Sequence, residues 1–94
     1  MYIVYIIYSS KLNRYYIGTT DNFEKRLNEH NNSTYSNAYT SKGIPWERIL
    51  VIENLSSTQA YGIEKHIKRM KSSTFIKNLI KYPKMIERLK QQYL

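Results

Sequence analysis

The run Tyr2-Ile-Val-Tyr-Ile-Ile-Tyr8 constrains the fold more than any other stretch of the chain. It is continuously apolar, β-branched and aromatic. An amphipathic strand alternates, whereas a continuous run reads as a strand buried on both faces, hence a central one. A second run, Tyr15 to Gly18, follows the polar stretch Ser10 to Arg14. Two such runs across a short polar loop predict an antiparallel hairpin. Gly18 is expected to end the second strand and to allow close backbone approach.

The rest of the chain alternates between helical and strand patterns. Thr20 or Asp21 is the expected cap of a first helix, from about Asp21 to Asn31, because a short side-chain oxygen accepts from free N–H groups. Phe23 and Leu27 would face the core, and Asn31-Asn32-Ser33 would stop the helix. Residues 31–45 read as a long polar loop with Tyr35 and Tyr39, ending in Gly43-Ile44-Pro45; such loops are more often functional than idle. Ile49-Leu50-Val51-Ile52 marks a third strand within Trp46 to Glu53. Ser56 and Gln59 fit a capping box. The helix after it is expected to run to about Lys71, with Ala60, Ile63, Ile67 and Met70 as its apolar stripe. Ser72 or Ser73 would cap a third helix through Phe75, Leu79 and Ile80. Pro83 suits the first turn of a last helix with Met85, Ile86 and Leu89 inward. The order is ββα, a long loop, βαα and a C-terminal helix: an α+β fold with three strands.

Composition narrows the partners. At 94 residues the chain reads as a single domain, 1–94, with a modest core. It has no cysteine, which excludes disulfides and thiolate zinc sites. No apolar run approaches the ~18 residues of a membrane span, and residues 1–10 lack the marks of a signal peptide. A soluble cytoplasmic protein without membrane association, monomeric by default, is the expectation. Fifteen Lys and Arg against seven Asp and Glu give a net charge of +8, which favours an anionic partner, nucleic acid first. Ten tyrosines can fill a core, stack on bases or place a phenol at a reacting centre.

Some of these residues fall into a recognisable order. Val4-Tyr5-Ile6 is followed by Tyr16-Ile17-Gly18, then by Arg26 and His30 one helical turn apart, then by Glu64 within Ile63-Glu64-Lys65-His66-Ile67-Lys68. In this order the chain resembles the GIY-YIG endonuclease superfamily, with VYI standing where that family writes GIY. The likeness covers residues 2 to about 80, and it implies a small three-stranded antiparallel sheet flanked by helices, in agreement with the element order. The short, free-standing form fits best, given Ala38-Tyr39-Thr40, the Ile44-Pro45-Trp46 turn and the Phe75…Leu79-Ile80 ending.

The resemblance implies hydrolysis of phosphodiester bonds in DNA, in structured or damaged DNA of the kind met in repair or recombination. Such a hydrolase needs an activated water, a counter-charge and a stabilised leaving oxygen. Glu64 would be the single carboxylate holding Mg²⁺ (or Mn²⁺), an ion that keeps most of its waters. Tyr5 and Tyr16 would flank the scissile phosphate, one activating the water. A phenol of ordinary pKa, about 10, needs a cationic environment to do so. Arg26 would bind phosphate through its planar fork. His30 would tune a tyrosine or bind the phosphate. The four groups Tyr5, Tyr16, Arg26 and Glu64 should then converge on one concave surface.

The chain also departs from the family pattern. Thr19 stands where some members carry a lysine, which weakens lysine-assisted activation of a tyrosine. Ala38 replaces a frequent basic residue, and Asn78 is the nearest candidate for an asparagine found beyond the metal glutamate. Lys65, Lys68 and Lys71, in a basic stretch that continues through Lys84, suit a surface that tracks a phosphate backbone. Each feature has a plainer reading. Tyrosines populate strands, Glu64 can pair with Lys68 at i,i+4, and basic helix faces can be merely solvated. A non-catalytic nucleic-acid-binding module that keeps this fold is the alternative function.

Overall fold

The computed structural model describes residues 1–32 and 38–94. Strand β1 (Tyr2–Ser9) is flanked by β2 (Arg14–Thr20) and β3 (Trp46–Leu55) in one antiparallel sheet of order β2-β1-β3. The doubly apolar run is therefore the central strand, and Val4 through Ile7 are buried on both faces. Helix α1 (Phe23–Asn31) and the short α2 (Ala38–Lys42) follow β2. Helices α3 (Ser57–Met70), α4 (Ser73–Lys81) and α5 (Pro83–Gln92) follow β3. Among the described residues no helix is long and apolar enough to cross a membrane.

Alternation along β1 divides the interior in two. Val4 and Ile6 face α3, α4 and α5, in a core with Ile52, Leu55, Ala60, Ile63, Ile67, Ile76, Leu79 and Leu89. Tyr5 and Ile7 face the other way, and with Trp46 they pack against Tyr16, Phe23 and Leu27. Each large apolar side chain fully buried here contributes about 1.5–3 kcal/mol. The sheet thus separates an aromatic layer from an aliphatic one.

Several boundaries differ from the sequence expectation. Strand β2 runs on through Gly18 to Thr20, because Thr19 and Thr20 keep their pairing with Val4 and Ile3. The cap of α1 is Asn22, whose Oδ1 accepts from Lys25 N at 3.1 Å. Thr20 is used one step earlier, where its Oγ1 accepts from Asn22 N at 3.1 Å and shapes the turn. The stretch 31–45 is not wholly loop, since α2 lies within it; Tyr35 falls outside the described residues. Strand β3 continues to Leu55, and α3 ends at Met70 because Lys71 adopts a left-handed backbone, φ 48°. Met70 is 45% exposed at that end, and in α4 the inward position belongs to Ile76 while Ile80 is 46% exposed. The capping box at Ser56 and Gln59, the Ser72 cap and Pro83 in the first turn of α5 are as read.

Candidate active site

The aromatic layer gathers three of the proposed residues. In the hairpin register Tyr5 lies opposite Gly18 and Ile7 opposite Tyr16, so the two tyrosines share one face. Their rings stack at 6.4 Å with 26° between planes. Helix α1 crosses this face and inserts His30, which is fully buried. His30 Nε2 and the Tyr5 hydroxyl are hydrogen-bonded at 3.1 Å, with the direction set by the tautomer. The Tyr16 ring meets His30 edge-on at 4.9 Å.

Gly18 is essential to this packing. A Cβ built there would lie 2.5 Å from Tyr5 Cζ and would overlap the hydroxyl oxygen as well. The close approach expected at Gly18 is therefore that of a phenol, in mid-strand. Tyr5 itself is only 2% exposed, so its hydroxyl sits under the β2 backbone rather than in open solvent.

Arg26 lies one turn before His30 and is half-buried, with its Nε 3.3 Å from Glu29 Oε1. Burial lowers the His30 pKa below its ordinary 6.5; the Arg26 charge lowers it further and Glu29 opposes them. His30 is thus a neutral imidazole at pH 7. Of the two roles expected for it, tuning a tyrosine matches its burial; contact with a phosphate would need it to leave the core.

Glu64 approaches from the aliphatic layer. It projects from α3 with its side chain 18% exposed. Thr19 Oγ1 donates to Glu64 Oε1 at 2.5 Å, and Lys68 Nζ donates to Oε2 at 2.7 Å. Glu64 thus reaches β2 at Thr19, the neighbour of the residue that receives Tyr5. Side chains of neighbouring strand residues point to opposite faces. Gly18 receives Tyr5 on one side and Thr19 receives Glu64 on the other. The two halves meet at consecutive residues of β2, an edge strand of the sheet.

The proposed nucleic-acid residues distribute around Glu64. Lys65 and Lys68 line a shallow groove with Glu64 and Tyr61. Lys68 and Lys71 also line a larger cleft of about 620 Å³ toward the β1–β2 hairpin. Asn78, half-buried on α4, is not among the residues lining either. Among the described residues no cluster of three His, Asp or Glu could enclose a metal ion. Glu64 is a single carboxylate at a half-open rim, held in orientation by a hydroxyl, which is a donor set suited to a cation that keeps its own waters.

Two residues matter more than their sequence positions suggested. Thr19 reads as a departure from a pattern but orients Glu64; its place beside Gly18 is the signal that could have found it. Asn31 reads as a helix stop, yet its amide brackets the start of β3, donating to Trp46 O at 3.0 Å and accepting from Trp46 N at 2.6 Å. Trp46 in turn closes on the Tyr16 ring at 6.0 Å.

A family model described as the GIY-YIG catalytic domain matches residues 1–78 of the 94. No curated protein matches the chain, and no solved structure does.

Proposed function

The chain belongs to the GIY-YIG family, and on that premise we propose that it is a divalent-metal-dependent endonuclease that hydrolyses phosphodiester bonds in DNA. The family implies a nuclease and a nucleic-acid substrate; the metal requirement, branched or damaged DNA as target, and a role in repair or recombination are our reading. The observation that carries it is the buried Tyr5–His30 hydrogen bond, set against Gly18 while Glu64 is held on the adjoining Thr19.

The chemistry follows from these contacts. A neutral His30 in its Nδ1–H tautomer accepts a hydrogen bond from the Tyr5 hydroxyl at Nε2, which fixes and polarises the phenol beside the phosphate and requires no lysine at position 19. Tyr16, stacked beside Tyr5, orients the water or the phosphate. Arg26 lends its charge to the phosphate oxygens, where negative charge grows as the water attacks. Glu64 would hold Mg²⁺ or Mn²⁺, aligned by Thr19. When bound, such an ion supplies charge stabilisation to the phosphoryl oxygens and the leaving oxygen.

Nicking of plasmid and branched DNA with Mg²⁺ or Mn²⁺ tests this reading. Wild type should cleave, and Glu64→Ala and Tyr5→Phe should each lose roughly 10²-fold or more. Cleavage by both variants at the wild-type rate overturns the site. No cleavage by wild type, with DNA binding intact, leaves the non-catalytic binding module.

A further inference from the structure

A cleft of about 620 Å³ lies outside the group of residues just assigned. It opens on the aliphatic face of β2, between the β1–β2 hairpin and the junction of α3 with α4. Its walls bear Arg14, Lys68, Lys71 and Lys77, together with the rings of Tyr8 and Tyr15. Ile17, Ile67 and Ile76 give it an apolar floor. Arg14, Lys71 and Lys77 are exposed, so their charges are available to a ligand, while the charge of Lys68 is shared with Glu64.

We propose that this cleft binds an unpaired segment of the nucleic-acid strand next to the cleavage position. The inference rests on the nuclease reading for its substrate class. Three observations support it. First, the volume of about 620 Å³ lies in the range of about 300–1,000 Å³ that holds a small ligand, and so suits one or two nucleotides. Second, the lining combines cations with aromatic rings. Tyr8 and Tyr15 face one another across the hairpin with centroids 4.9 Å apart, and Tyr8 is anchored by its hydroxyl, which donates to Asn13 Oδ1 at 2.5 Å. Cations that track a backbone, beside tyrosine faces on which bases stack, are what single strands need. A duplex is instead read by an element that enters its groove, which a concave wall cannot do.

Third, the cleft adjoins the groove that holds Glu64, and Lys68 lines both. Lys68 also holds Glu64 Oε2. From Glu64 to Lys71 the axis of α3 advances about 10 Å. Strand β2 spans Arg14 to Thr20, and its Arg14 lines the cleft together with Lys71. A strand crossing the β2 edge at Gly18 and Thr19 is thereby led past Lys68 into the cleft. Substrates with an unpaired tail or branch gain contacts that a blunt duplex cannot make.

The test is fluorescence anisotropy in EDTA, where binding is read without cleavage. The probes are a labelled duplex with a single-stranded tail and a blunt duplex of the same sequence. Wild type should prefer the tailed probe by roughly ten-fold. The double variant Arg14→Ala/Lys77→Ala should lose most of that preference, and the slope of log affinity against log salt should fall by about 0.7 for each cation removed. Tyr15→Leu, which keeps the apolar packing, should reduce the preference without changing the salt slope. Equal wild-type binding of both probes, or a preference that survives in the exposed double variant, overturns the proposal. Glu64→Gln should lose cleavage and retain the preference. A wild type that prefers the tail but never cleaves would sink the nuclease reading and leave the cleft standing. A wild type that cleaves while the double variant keeps its preference would do the reverse.

Discussion

The phenol of Tyr5 occupies the space that any side chain at position 18 would need. Gly18 and Tyr5 are direct partners across the β1–β2 ladder, so neither can change without the other responding. The phenol is also hydrogen-bonded to His30, so it cannot swing aside cheaply.

Gly18→Ala should therefore damage both stability and function. Forcing a methyl group against a buried ring costs about 1–3 kcal/mol. Urea denaturation should show a loss of that size. Cleavage should fall further than stability explains, because the Tyr5 hydroxyl is driven from His30. An alanine variant with unchanged stability and rate would show that the ring repacks freely.

Thr19→Val removes the hydroxyl that orients Glu64 and keeps the side-chain shape. Loss of such an outer partner typically costs 10–100-fold in metal affinity or activity. The Mg²⁺ concentration for half-maximal cleavage should rise by roughly that factor, while the melting temperature barely moves. An unchanged Mg²⁺ dependence would detach Thr19 from Glu64 function.

His30 and His66 both have pKa values lowered by burial, with Arg26 acting on the first and Arg69 on the second. In each case the unfolded chain binds the proton more readily than the folded one. The stability from this source is fully present above the ordinary histidine value of about 6.5, and it is lost as pH falls from there toward the folded-state pKa. Unfolding free energy measured between pH 8 and pH 5, a window of roughly that placement, should decline on the acid side. Replacing His30 by Gln should flatten part of the decline and His66→Gln another part. A pH profile identical to wild type in His30→Gln would contradict the buried neutral imidazole.

Asn31→Ala withdraws both hydrogen bonds that bracket Trp46. Each such hydrogen bond contributes about 0.5–1.5 kcal/mol. Thermal unfolding should show a loss of at least that size. Because Trp46 packs on Tyr16, its fluorescence should shift as well. A variant as stable as wild type, with unshifted emission, would mean that Asn31 is only a helix terminus.

Much of this was legible in the linear chain because local rules carried it. A run without polar breaks had to be the central strand, since only there are both faces covered. Ser56 with Gln59, and Pro83, announce helix starts through hydrogen bonds made within one turn. The end of β3 and the start of α1 were less legible. Thr20, Asp21 and Asn22 can each cap a helix, and the choice depends on which of them the sheet pairing has already used. The clamp of Asn31 on Trp46 joins residues 15 apart, and no local pattern encodes it.

The sequence alone determined the central strand, the three-stranded α+β arrangement, the basic character and the order Tyr5, Tyr16, Arg26, His30, Glu64. Tertiary structure decided how those residues divide. Strand alternation sends Tyr5 and Tyr16 to one face of the sheet, while the path of α3 brings Glu64 to the other. They meet only because Gly18 and Thr19 are neighbours on an edge strand. Distances across layers depend on packing between elements far apart in the chain, and that packing also opened the basic cleft between the hairpin and α4.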